Sequence, residues 1–501
     1  MRARPFSVSP ARYQLTRFVF LRSLGLLYFV GFLTLLWQWR PLLGSDGLLP
    51  AGSFLVRVRE QLGSFAAAFW RLPSLFWWGS SDAALGLSAW LGLGLSLLVV
   101  AGFANSAILA VLWALYLSFV HVGQIFYGYG WESLLCETGF LAIFLAPAWS
   151  ARPCAGSVPW PVILLLRWLA FRVMFGAGLI KIRGDACWTD LTCLDFHYET
   201  QPEPNPLSAA FHHLPSAVHH FGVLFNHFAE LVVPFGVFGP KRVRYAAGAI
   251  IVLFQLCLIA SGNLSFLNWL TIAITLSCFD DELFRRFTPK RVLARLRAQP
   301  APLGRARRIV TGVLLTAVAL LSLNPVVNML SPRQRMNAAF DPFDLVNTYG
   351  AFGSVNRIRN EVVLEGTADE SIDSRTRWVA FELPCKPGDP ARRPCLAAPY
   401  QYKLDWQMWF ASFSSAAAEP WFIHLVSKLL HGDPVVDTLF ASQPFRGHPP
   451  RYVRALFYRY QFSEPGQSGV WQRQLLGEYL RPVALGDSEL EAYLAEHGFR
   501  E

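Results

Sequence analysis

The sequence predicts an α-helical polytopic membrane part followed by a strand-rich α+β soluble domain on the extracytoplasmic side, and three observations carry that prediction. Of 501 residues, 53% are apolar and only 16% charged, a balance too oily for a soluble globule. Apolar runs approaching the roughly 20 residues that a bilayer-crossing helix needs recur throughout residues 1–330. Beyond residue 331 the apolar runs shorten and fall between Pro/Gly turns. The formal charge of +10 does not call for nucleic acid, because in a membrane chain the placement of cations reports orientation.

Nine spans are expected, at 18–39, 84–103, 106–122, 134–149, 160–182, 222–239, 245–261, 264–279 and 308–330. The first runs on through LLYFVGFLTLLWQW without a small-residue cleavage site, so it is expected to stay as an anchor. With a cytoplasmic N-terminus, seventeen Lys and Arg fall in inside segments: Arg2, Arg4, Arg12, Arg17, Arg152, Lys241, Arg242, Arg244 and nine between Arg285 and Arg308. Arg57, Arg59, Arg71 and Arg183 fall in the outside loops, with Arg40 directly after the first span, and this asymmetry is the positive-inside pattern. Nine crossings then place residues 331–501 outside, with an acidic, His/Pro-rich loop at 183–221.

Residues 331–501 suffice for one compact domain. EVVLEGT (361–367), RWVAFEL (377–383) and YVRALFYRYQF (452–462) have strand character, whereas DWQMWFASF and WFIHLVSKLL have helical spacing.

Charged groups inside apolar spans cost a few kcal/mol each unless paired or facing a polar cavity. Arg22, Glu137, Arg167, Arg172, His227 and Glu230 are such residues, and the expected solution is ion pairing of Glu137 or Glu230 with Arg167 or Arg172. A polar cavity or proton path is the functional alternative. Lys181 sits at a helix end, where it snorkels to the interface or lines a site. Cys136, Cys257 and Cys278 lie in spans and Cys154 in an inside loop, as buried or reduced thiols. The outside cysteines form two local pairs, Cys187 with Cys193 and Cys385 with Cys395, which are disulfide candidates in an oxidising compartment. Neither has the CxxC spacing of a redox dithiol. Although Asp195, His197 and Glu199 alternate, no second cluster at ligand spacing supports a metal, and none is expected.

The stretches YGWESLLCETGFLAIFLAP (129–147), RWLAFRVMFGAGLIKIRGDACWTDLTCLDFHYETQPEPNP (167–206), NHFAELVVPF (226–235), SGNLSFLNWLTIAITLSCFDD (261–281), VNTYGAFGSVNRIRNEVVLEGT (346–367), CKPGDPARRPC (385–395) and LDWQMWF (404–410) give the chain its resemblance to the lipase maturation factor family. The resemblance covers nearly the whole chain, which lacks the longer polar N-terminal leader associated with vertebrate members. It implies a multi-pass protein of the endoplasmic reticulum membrane with a lumenal C-terminal domain, or of a bacterial cytoplasmic membrane with that domain extracytoplasmic. It also implies secreted homodimeric lipases such as lipoprotein lipase as clients, lumenal folding machinery as further partners, and no cofactor. Trp406, Trp409 and Trp421 then become client-contact candidates if exposed, or the domain's own core if not. The rival class is an enzyme, because the layout is also similar to that of the vitamin K-dependent carboxylase, with Lys181, His197 and Glu199 as its site. A transporter is weakened by the absence of Gly/Pro-broken spans in matching halves.

Overall fold

The computed structural model describes residues 13–150, 156–290, 293 and 303–499. Cys154 and the cations Arg2, Arg4, Arg12, Arg152, Arg291, Arg295 and Arg297 lie outside the described residues. Among the described residues the apolar helices of the membrane part are α1 (Gln14–Leu43), α2 (Asp82–Ala101), α3 (Ser106–Val122), α4 (Gly130–Leu145), α5 (Trp160–Gly184), α6 (Ser216–His227), α7 (Lys241–Ser261), α8 (Leu267–Thr275) and α9 (Arg305–Leu321). Among the described residues six helical stretches are long and apolar enough to cross a bilayer: α1, α2, α5, α6 continued to Phe238, α7, and α9 continued to Leu330. The expected count of nine is corrected accordingly. The runs at 106–122, 134–149 and 264–279 become helices of 17, 16 and 9 residues, because flanking residues leave the helix to make capping and loop contacts. Asn105 caps α3, and the Ser106 amide donates to the Pro147 carbonyl just past α4, 2.9 Å away.

The helix ends gather at two levels. At one, Asp281 accepts from the amides of Gln14 and Leu15, Arg167 reaches the Tyr13 hydroxyl at 2.7 Å, and Arg244 reaches the Cys278 carbonyl at 2.8 Å. At the other, Gln124 donates to the Leu49 carbonyl, Arg183 to that of Met329 and Gln201 to that of Ser261. At 30 residues, α1 is about 45 Å long against an apolar bilayer core of about 30 Å. The helix is thus longer than the apolar layer, and near its C-terminal end Gln38 meets Tyr400 and Gln401.

After α6 the chain widens into a π-turn, Phe228–Val232, and then tightens into a 3-10 segment containing Pro234. A proline lacks the donor that a regular turn would need there. Gly176 of α5 lets the loop around Tyr349 approach closely, since a Cβ at that position would sit 2.6 Å from the Tyr349 carbonyl oxygen.

The C-terminal part is a four-stranded antiparallel sheet of order β2-β1-β3-β4, with β1 Arg359–Thr367, β2 Val379–Ala380, β3 Tyr452–Phe462 and β4 Trp471–Val483. Helices α10 (Lys403–Ala411), α11 (Pro420–His431) and α12 (Ser488–Glu496) accompany it. The core is continuous from the membrane helices into this domain, joining for example Phe126 of the helical part to Trp421 of α11 at 6.2 Å between rings.

Candidate functional site

The polar groups that the sequence singles out collect where the bundle meets the domain. Arg172 is paired with Glu137, both buried, and its Nη1 also donates to the Asn347 carbonyl at 2.6 Å. Glu137 in turn accepts from the Asn347 amide at 3.0 Å and the Tyr349 hydroxyl at 2.7 Å. Hydrogen bonds thus hold the carboxylate and both Nη atoms, leaving the Arg172 Nε alone without a partner among the described residues, which is close to the condition under which a buried charge pair is tolerated. Glu230 takes a partner other than the expected arginines: Lys181, at 2.6 Å, which Asn226 one turn before Glu230 also holds at 3.2 Å. Arg167 is satisfied instead by the Ser277 carbonyl and Tyr13. The His227 Nε2 lies 2.9 Å from the Trp188 carbonyl. Arg22 lies against the Phe18 ring, with Nη2 3.3 Å from the Ala101 carbonyl oxygen.

Lys181, His197 and Glu199 each take different partners. While Lys181 serves Glu230, His197 is buried with its ring edge-on to Phe352, and the Glu199 carboxylate accepts from the Phe462 amide of β3 at 2.7 Å. Burial, and secondarily the charge of Lys181, pulls the His197 pKa down to about 4. Burial pushes Glu199 up, opposed by the Phe462 N–H and by Arg359. Among the described residues no three His, Cys, Asp or Glu side chains are grouped to hold a metal ion.

The loop after α5 is closed by a Cys187–Cys193 disulfide, with Cα atoms 4.7 Å apart. A second disulfide joins Cys385 to Cys395, with Cα atoms 5.3 Å apart. Cys136 and Cys278 are buried free thiols, and Cys257 is an exposed one. Asp185 caps the first turn of the loop and pairs with Arg357 at 2.8 Å, and that guanidinium holds its carboxyl down at about 2.

Two buried clamps escaped the sequence reading. Arg359 at the start of β1 donates to Glu361 and to the carbonyls of Glu199 (2.8 Å) and Pro202 (3.0 Å), while Lys386 pairs with the same Glu361. Lys403 of α10 pairs with Glu132 of α4, which also accepts from Trp131 at 3.0 Å. Glu132 carries the same signal as Glu137, an acid in an apolar stretch, but it precedes the expected span at 134–149. Arg359 and Lys403 lie in a segment read as soluble, where a cation raises no alarm.

The client-contact candidates divide. Trp406 (4% exposed) and Trp421 (2% exposed) are core residues, which corrects the expectation of a surface role, because their rings fill the space between α10, α11 and the helical part. Trp409 is half-buried, its Nε1 3.2 Å from the Thr200 carbonyl oxygen, and it stacks edge-on with Phe410 and Phe413. Phe410 (41%) and Phe413 (50%) are exposed, and together they form an aromatic surface at the C-terminal end of α10 and the turn that follows it.

These features define a multi-pass membrane protein whose sheet domain is clamped onto one end of the helical bundle through buried ion pairs and two closed loops. Residues 15–286 match the lipase maturation factor transmembrane domain and residues 345–481 the lipase maturation factor C-terminal domain. The chain belongs to the lipase maturation factor family. It is similar to lipase maturation factor 1 of Bos taurus (48% identical, covering 97% of this chain and 92% of that one) and of Homo sapiens (45%; 99% and 92%). Lipase maturation factor 2 of Homo sapiens is 32% identical over 97% of this chain and 85% of its own length. No solved structure matches the chain.

Proposed function

We propose that the chain is a maturation factor of the endoplasmic reticulum membrane that helps secreted homodimeric lipases, such as lipoprotein lipase, reach their active fold. In this reading residues 1–330 anchor the protein, residues 331–501 face the lumen, and lumenal folding machinery acts alongside. The single observation carrying the reading is family membership over nearly the full chain. The position of both disulfides at the domain end of the bundle supports the lumenal orientation. Trp409, Phe410 and Phe413 offer an apolar client surface, since aromatic groups at the centre of a contact carry most of its energy.

The test is secreted lipase activity per lipase mass in cells lacking the endogenous factor, normalised to the amount of membrane protein. Deleting residues 331–501 is a poor probe, because it strips Glu132 of its cation Lys403 and Glu137 of its Asn347 and Tyr349 donors, and so damages the membrane part itself. Full-length F410S/F413S should instead lose most rescue at normal abundance. K181A, H197A and E199Q should lose rescue only in proportion to abundance. A stable, abundant K181A, H197A or E199Q protein without rescue would replace the chaperone reading with an enzyme.

A further inference from the structure

The C-terminal end of α1 and the C-terminal domain enclose a cleft of about 770 Å³, formed by residues 36–41, 400–405 and 434–439. The length of α1 exceeds the apolar layer, so a turn near its C-terminal end lies within reach of lipid headgroups. Trp37 on the outer face of that turn is 70% exposed, as expected of a tryptophan at a membrane interface.

The wall has three chemistries. Leu36, Leu404 and Leu439 supply apolar surface. Trp39, Tyr400 and Tyr402 supply aromatic faces, the two tyrosine rings lying 5.0 Å apart at 67°. Two opposite charges complete it. Arg40 is exposed and has no hydrogen-bond or ion-pair partner among the described residues. Asp405 is buried in the wall, where its Oδ1 accepts from the amides of Cys385 (2.6 Å) and Lys386 (2.8 Å) while its Oδ2 has no partner. The nearest lysine does not fill that vacancy, because the Lys386 ammonium is committed to Glu361 and the Val362 carbonyl. Burial pushes Asp405 up to about 6, as happens to a carboxylate whose neighbouring cations offset desolvation only in part.

A fatty acid or an anionic phospholipid would satisfy Arg40 but leave Asp405 facing apolar or negative matter. A headgroup carrying both a phosphate and an ammonium suits both, the aromatic faces attracting the ammonium through their quadrupoles and the Asp405 carboxylate, buried behind them, acting on it through its field rather than by contact. We propose that this cleft binds a zwitterionic phospholipid of the bilayer, its phosphate at Arg40, its ammonium against the rings of Tyr400 and Tyr402, and its upper acyl chain along the leucines.

The test uses the purified full chain in detergent and phosphatidylcholine carrying a diazirine in its acyl chain, with phosphatidylglycerol and free fatty acid bearing the same group as competitor chemistries. Photolabelled peptides are mapped by mass spectrometry. Phosphatidylcholine should label residues 36–41 and 400–405 several-fold more than either other probe. Arg40→Gln and Tyr402→Ala should each lower that labelling about tenfold, Tyr402→Phe should preserve it, and Asp405→Asn should erase the preference over phosphatidylglycerol. Labelling of the lipid-facing surface of α9 should be unchanged throughout, which reports intact folding. Equal labelling by all three probes would overturn the proposal, since it marks only surrounding lipid. So would preferential labelling by fatty acid, or indifference to Arg40→Gln and Tyr402→Ala.

Discussion

Replacing Arg359 by methionine tests the clamp between loop and sheet. The side chain is fully buried and makes four kinds of contact: Glu361 at 2.6 Å, and the carbonyls of Glu199, Gln201 and Pro202. Methionine preserves volume, so the loss is polar. Lys386 stays with Glu361, so the carboxylate keeps one cation. The three carbonyls lose their donor, at about 1–3 kcal/mol for each buried orphan. Allowing for partial rehydration, the variant should lose about 3–5 kcal/mol, the range seen when one partner of a buried charge pair is removed. That shifts the folded-to-unfolded ratio by two to three orders of magnitude, roughly, at about 1.4 kcal/mol per tenfold. Thermal unfolding of the full chain in detergent, followed by tryptophan fluorescence, gives the readout, with limited proteolysis of 197–205 as a local probe. R359K keeps a charge but loses the planar fork, and should fall between wild type and R359M. An R359M protein that melts like wild type, or an R359K protein that does so, would refute the reasoning.

Each disulfide closes a short loop, so C187S/C193S and C385S/C395S should each cost about 2–3 kcal/mol, and unreduced peptide mapping should recover both pairs intact. Asn263 of the Asn-Leu-Ser sequon should carry no glycan, since its buried amide donates to the Cys395 carbonyl at 2.9 Å and accepts from the Ala397 and Ala398 amides; endoglycosidase should leave the mobility unchanged, and N263A should melt lower. His197 binds its proton only near pH 4 when folded but near 6.5 when unfolded. Stability contributed by the neutral ring is therefore complete above pH 6.5 and falls as pH drops toward 4, by up to about 1.4 kcal/mol per unit, a slope that H197Q should remove from denaturation curves.

The membrane class, the Glu137–Arg172 pairing and the helical segments of the domain were legible because each leaves a strong local mark: a long apolar run, a charge where charge is expensive, or a 3.6-residue period. The partner of Glu230 was not, because a lysine at a helix end has a solvent escape and gives no reason to be paired inward. Strand β4 went unread because its side chains are mostly exposed, as befits a sheet edge, and WQRQLLGEYLRPV shows little alternation. Trp406 and Trp421 could not be separated from Phe410 and Phe413 by composition, since burial depends on how α10 and α11 seat against the membrane helices, a contact between residues hundreds of positions apart.

The Glu132–Lys403 clamp joins positions 271 residues apart, and synthesis proceeds from one end. At about 5–20 residues per second, Glu132 waits roughly 15–50 s in an inserted helix before its counter-ion exists. Gln38 and Glu137 wait similarly for Lys403 and Asn347. During that interval the nascent bundle holds the Glu132 carboxylate without its cation, and Gln38 and the Arg172-paired Glu137 short of hydrogen-bond donors, the kind of polar defect that membrane quality control reads as unfinished. Any chain that stops before residue 403 is frozen in that state. Its membrane part should then be cleared along with the missing domain, so that premature termination anywhere in the first four-fifths of the chain has the same outcome as no protein at all.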